Sequence, residues 1–249
     1  MSTGTKTYFI SDLHLGASYI ADPRAHEQRI VEFLHRIAPD CKRLYLLGDI
    51  LDYWWEYRTV VPRGYVRFFG ALASLADAGV EIIWFKGNHD IWIFDYLPKE
   101  IGLKVHDGAL VTEIDGTRFL LEHGDGVGRL PWSFRKLRSL FRCPIAQKLY
   151  AAIHPRWTIG FAHSWSSRSR KQGGYTPSER AGDNLIEFAR AYNASAPQPI
   201  DYFIFGHCHI LLDKKLPEGG KIVIIGDWIG HFSYAVWDGK NLSTGIFKP

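Results

Sequence analysis

The stretch FISDLHLG, residues 9–16, sets Asp12 and His14 at the end of an apolar run that reads as a buried strand. In extended chain, residues two apart share a face, so an extended motif would let this acid and imidazole converge on one small, positively charged object. The same style of ending recurs. Run 43–47 ends in Gly48-Asp49, with Asp52 three residues on, and run 80–86 ends in Gly87-Asn88-His89-Asp90. Run 118–121 ends in Glu122-His123-Gly124-Asp125, and run 201–205 ends in Gly206-His207-Cys208-His209. KIVIIGD, 221–227, reads as a further strand.

Helical periodicity over 24–37 and 65–78 separates the first three runs, which points to βαβ units with at least partly parallel pairing. Asp115-Gly116 and Asp238-Gly239 each sit between alternating runs and predict two hairpins, which favours a two-sheet core over one doubly wound sheet. A last helix is expected from about Ser178 to Tyr192.

Carboxylates and imidazoles crowded at one end of a fold destabilise it unless something positive compensates them. A divalent metal does so. Oxygen donors mixed with imidazole fit manganese, iron or zinc better than calcium, and the lack of a thiolate cluster argues against a structural zinc site. One ion needs about four such groups, so seven candidates suggest two ions about 3.5 to 4 Å apart sharing a carboxylate. Cys208, if 207–209 is extended, points away from its two flanking histidines and is read as no ligand.

The chain has 249 residues, 46% of them apolar, enough for one domain with a full core. No apolar stretch resembles a signal segment or a membrane span, and the three cysteines form no framework, so a cytoplasmic protein is expected. Net charge is +4, but residues 126–178 hold ten Lys or Arg and no Asp or Glu. That segment faces an anion, whether nucleic acid, lipid head group or phosphorylated substrate. Within it Leu130, Phe134, Leu137 and Phe141 form a stripe near helical spacing, continued after Pro144 by Ile145, Leu149 and Ile153. Residues 129–172 therefore read as a basic, amphipathic helical insertion over the main domain.

The five motifs, D-x-H, G-D-x-x-D, G-N-H-D, His-Gly-Asp and G-H-x-H, span residues 8–209 in an order that resembles the calcineurin-like metallophosphoesterase superfamily. The resemblance implies a four-layer α/β/β/α sandwich with a dinuclear site. Asp12, His14, Asp49 and His209 would hold one ion, and Asp49, Asn88, His123 and His207 the other, with Asp49 as the bridge. Hydroxide between the two cations would then attack phosphorus in line. His89 is expected to clamp phosphate and to offer a proton, with Asp90 fixing its tautomer; Asp52 and Asp125 would orient ligands.

SDLHLG, the length, and the basic insertion between His-Gly-Asp and G-H-x-H are similar to the UDP-2,3-diacylglucosamine hydrolase family of lipid A biosynthesis. That resemblance implies cleavage of the pyrophosphate to UMP and 2,3-diacylglucosamine 1-phosphate, Mn²⁺ as cofactor, the inner-membrane surface as partner, and the insertion as a lid over acyl chains. Arg168, Arg170 and Lys171 are head-group candidates. The well-studied branch carries arginine where this sequence has His89. A soluble nucleotide pyrophosphatase, a nucleic-acid phosphodiesterase and a non-catalytic protein-binding scaffold stand as alternatives. Nucleic acid is not the expected partner, because the basic residues ride on an amphipathic pattern.

Overall fold

The computed structural model describes residues 4–158 and 179–248. Its first sheet runs β11-β10-β1-β2-β3-β4. The strands β1 (Lys6–Ile10), β2 (Cys41–Leu46), β3 (Glu81–Phe85) and β4 (Lys104–His106) are mutually parallel, and the hairpin of β10 (Ser233–Trp237) and β11 (Leu242–Ile246) joins β1 antiparallel. The second sheet runs β5-β6-β7-β9-β8. In it β6 (Thr117–Leu121), β7 (Tyr202–Phe205) and β9 (Lys221–Ile225) are parallel, flanked by antiparallel β5 (Leu110–Ile114) and β8 (Leu211–Lys215).

Both expected hairpins form. At the first, Asp115 (φ 51°) and Gly116 (φ 80°) both take the left-handed conformation that a two-residue turn between twisted strands requires. Asp22 caps helix α1 (Pro23–Ile37) by accepting a 2.9 Å bond from the Ala25 amide. α1 and α2 (Val66–Asp77) lay Ile30, Phe33, Leu34, Phe68 and Leu72 on one face of the first sheet. The other face, with Phe9, Tyr45 and Phe85, packs on Phe119, Ile204 and Val223 of the second sheet. Beyond that sheet, Phe203, Phe205 and Ile224 meet Leu185 and Ala189 of α6 (Glu179–Ser195), so the cores stack in the order helix, sheet, sheet, helix. The short α3 (Tyr96–Ile101), β4 and β8 were not expected from periodicity.

Between β6 and α6 the chain forms α4 (Trp132–Arg142) and α5 (Pro144–Ala151), neither of which buries a residue fully. The stripe read from the sequence divides there: Phe134 and Phe141 are half-buried while Leu137 is exposed. The inner side rests on aromatic groups from the loops after β2 and β3. Trp92 Nε1 donates to the Phe141 carbonyl at 3.1 Å, the Tyr150 ring centres 4.3 Å from Trp55, and the Tyr53 and Tyr150 hydroxyls meet at 3.1 Å. Arg138 pairs with Asp125 at 3.1 Å and Arg142 with Asp107 at 3.1 Å. Residues 159–178 lie outside the described residues, and with them the candidates Arg168, Arg170 and Lys171 and the expected helix start at Ser178.

Candidate metal centre

Parallel strands that share a direction deliver their following loops to one end of a sheet. β1, β2, β3, β6 and β7 do this for Asp12 and His14, Asp49, Asn88 and His89, His123, and His207 and His209. The local geometry corrects the extended reading of the motifs. β1 stops at Ile10, and Asp12 (φ 54°), His14 (φ 45°), Asp49 (φ 52°), His207 (φ 64°) and His209 (φ 52°) all adopt left-handed backbone. Asp and His tolerate that region better than most side chains, at a cost of order 1–2 kcal/mol each. Convergence thus comes from kinked loops rather than from strand alternation. Cys208 is buried among Leu185, Phe203 and Phe205, on the side away from the ligands.

The donors form two groups around one carboxylate. Nε2 of His14 lies 3.8 Å and Nε2 of His209 3.6 Å from Asp12 Oδ1. Nε2 of His123 lies 3.3 Å from both Asp49 Oδ2 and Asn88 Oδ1, and the His123 and His207 rings are 5.1 Å apart. Asp49 Oδ2 is also 3.9 Å from His14 Nε2, which puts this oxygen between the groups. Three sets each bring one atom per residue within 4.8 Å of the others in the set: Asp12, His14 and His209; Asp49, His123 and His207; and His14, Asp49 and His89.

The opposite ring nitrogens are held from outside. His123 Nδ1 donates to the Leu47 carbonyl at 2.8 Å, and His14 Nδ1 lies 3.4 Å from Asp52 Oδ1, so both rings turn Nε2 inward. His26 contacts the Leu13 carbonyl at 2.7 Å, bracing the loop between Asp12 and His14.

Asp12 Oδ1 and His14 Nε2 are buried and have no hydrogen-bond partner, an arrangement that a cation satisfies. The charges agree. Burial pushes Asp12 up, but His209 and His14 outweigh it and hold the carboxyl below its usual range; His123 and His89 do the same, more strongly, for Asp49. Burial pulls His14 down, yet Asp12 and Asp52 raise it to about 9, and Asp49 lifts His123 well above the ordinary imidazole value. Burial and the charge on His123 push His207 down to about 4. Protons on His14 and His123 therefore stand where cations would, and the donor set fits divalent metal.

Residues 5–211 match the family model described as calcineurin-like phosphoesterase. The chain belongs to that family. It is 46% identical, with 96% of both chains covered, to a UDP-2,3-diacylglucosamine hydrolase of Porphyromonas gingivalis. Proteins of the same name from Nitrosococcus oceani and Stenotrophomonas maltophilia are 27% and 28% identical, covering 89% of this chain and 87% and 90% of theirs. The protein is a phosphoesterase that binds divalent metal through His and Asp clusters.

Asp90 does something other than expected. Its oxygens accept from the amides of Gly87 (2.8 Å), Ile50 (3.0 Å) and Asp49 (3.3 Å) and from Trp84 Nε1 (3.1 Å). It ties the loops after β2 and β3 together, and burial beside Asp49 pushes it up to about 6. The His89 ring is held instead by Nδ1 on the Asp52 carbonyl at 2.9 Å, while the His89 amide donates to Asp49 Oδ1 at 2.9 Å. Side-chain neighbours in sequence leave the backbone in different directions, which is why adjacency misassigned Asp90. Asp52 Oδ1 faces His14 Nδ1, and Asp125 pairs with Arg138.

Two buried carboxylates escaped the sequence reading. Glu56 accepts from the amides of Phe94 and Asp95 and from Trp54 Nε1, fixing the loop ahead of α3. Asp227 lies on the loop that leaves β9, and its signal was available, since KIVIIGD closes on Gly-Asp as RLYLLGD does.

Proposed function

We propose that this phosphoesterase hydrolyses the pyrophosphate of UDP-2,3-diacylglucosamine, adding water across the P–O–P linkage to give UMP and 2,3-diacylglucosamine 1-phosphate. The observation that carries the reading is the 46% identity to a curated hydrolase of that name along 96% of both chains. Two ions, with Mn²⁺ the proposed metal, would sit one between Asp12, His14 and His209 and the other among Asn88, His123 and His207, with Asp49 offered to both. When bound, such ions acidify water and neutralise charge on phosphoryl oxygens. His89, fixed through Nδ1, presents its other nitrogen to a phosphate oxygen as an Nε2–H donor when protonated. The leaving group is itself a phosphate, so charge neutralisation matters more than protonation.

The outward side of α4, α5 and the turn that follows them supports an amphiphilic substrate. Trp132, Leu140, Ile145, Leu149 and Trp157 are 65%, 55%, 71%, 68% and 70% exposed, with Lys136, Lys148 and Arg156 among them. Apolar surface rimmed by cations suits acyl chains and anionic head groups. We read 129–172 as the lid and this face as the contact with the cytoplasmic side of the inner membrane. No helix among the described residues is long and apolar enough to cross a membrane.

The deciding experiment follows UMP release with Mn²⁺ from detergent-solubilised UDP-2,3-diacylglucosamine and from UDP-N-acetylglucosamine. Turnover of the lipid at least a hundredfold faster is expected. Equal rates would replace the lipid reading with a soluble nucleotide pyrophosphatase.

A further inference from the structure

β9 pairs with β7, so the loop that leaves β9 lies beside the loop bearing His207 and His209. The first side chain on it is Asp227, with no exposed surface. Its two oxygens are used differently. Oδ1 accepts from the amides of Ile229 (2.8 Å), Gly230 (2.7 Å) and His231 (3.2 Å), which closes the turn. Oδ2 accepts from His231 Nδ1 at 2.9 Å and lies 3.6 Å from Nδ1 of His209, whose Nε2 faces Asp12. The next residue makes a second, independent link: the Trp228 amide donates to the Asp12 carbonyl at 3.1 Å. One dipeptide thereby touches two of the three members of the Asp12, His14 and His209 group.

We propose that Asp227 is a positioning residue for that group, aiming His209 through Nδ1 while Trp228 braces Asp12. A charged acceptor behind a ligand imidazole fixes its tautomer and raises its basicity. Both contacts of the dipeptide fall on the Asp12, His14 and His209 group. The inference rests on the two-ion reading above.

Asn at position 227 is nearly isosteric: it keeps Oδ1 for the three amides and turns Oδ2 into a donor facing two imidazoles. Asp227→Asn in the full chain, stripped with chelator and titrated calorimetrically with Mn²⁺, should bind one of two ions about 10- to 100-fold more weakly and the other unchanged. His231→Ala should leave both affinities within about threefold, since Asp227 then has His209 as its remaining ring partner. Wild-type affinities in Asp227→Asn, with or without a lower Tm of the metal-free protein, would overturn the proposal and reduce Asp227 to a turn cap. Wild-type protein that binds fewer than two ions would instead sink the two-ion reading. If Asp227→Asn does not fold, ¹⁵N-histidine spectra of the zinc-loaded wild type decide: the proposal requires His209 as the Nδ1–H tautomer, and a metal-bound Nδ1 overturns it.

Discussion

Gly206 and Gly87 show how little room the ligand loops leave. A Cβ on Gly206 would overlap the Ser11 hydroxyl and the Asp12 carboxylate, and one on Gly87 would overlap the Asp49 carboxylate. Both neighbours are buried candidate ligands or their direct supports, so neither can give way without moving a donor. Gly206→Ala should cost about 1–3 kcal/mol of stability and weaken Mn²⁺ binding at least tenfold. Gly70→Ala is the matched control. Gly70 lies inside α2 with open space around it, and alanine there should stabilise by about 0.5–1 kcal/mol with metal binding unchanged. Chemical denaturation and Mn²⁺ titration of the two variants check both outcomes. At His89 the expectation is tolerance: His89→Arg keeps a cationic donor next to Asn88, and kcat should stay within about tenfold of wild type. A fall beyond a thousandfold would mean that an obligatory proton passes through the imidazole.

At the scale of elements, the α4–α5 pair is clamped by its inner side and left apolar outside. Ile145 and Leu149 are one helical turn apart and make no core contact, so charging them tests the outer face without loosening the clamp. Ile145→Glu with Leu149→Glu should shift stability by less than about 0.5 kcal/mol per site. It should raise KM for UDP-2,3-diacylglucosamine at least tenfold and leave turnover of UDP-N-acetylglucosamine as it was. An unchanged KM would detach this face from substrate and membrane alike. What periodicity could tell about these helices was their existence and the break at Pro144. It could not tell which side packs, because the receiving aromatics, Tyr53, Trp55 and Trp92, come from loops that carry no period. The gathering of the candidate ligands was easier to read, because each follows an apolar strand, and strand ends in parallel sheets gather. Their left-handed kinks left no trace in the motif spelling, and Asp227 acquires its meaning only when β9 settles against β7.

Across the whole molecule, the two sheets meet with two carboxylates and a ring of imidazoles at one end, and metal and protons compete for the same positions. In metal-free protein His14 is raised to about 9 and His123 also lies well above its ordinary value. A group whose folded pKa is raised contributes stability that is complete below its unfolded value, near 6.5, and that is lost as pH climbs through the folded value. Metal-free stability should therefore fall between about pH 6.5 and 9. Depressed His207, near 4, acts in the other direction and in another window: its contribution is present above about 6.5 and is lost as pH falls toward 4. Metal reverses the alkaline trend, since its ligands must be neutral imidazoles and each proton lost lowers the competition. At a free Mn²⁺ concentration one hundred times Kd, each site adds about 2.7 kcal/mol, and Kd itself should tighten as pH rises. Thermal melts with chelator and with Mn²⁺ should diverge from pH 6.5 to 9, the chelated curve falling while the loaded one holds. Parallel curves would mean that His14 and His123 do not exchange protons for metal, and the centre would lose its electrostatic rationale.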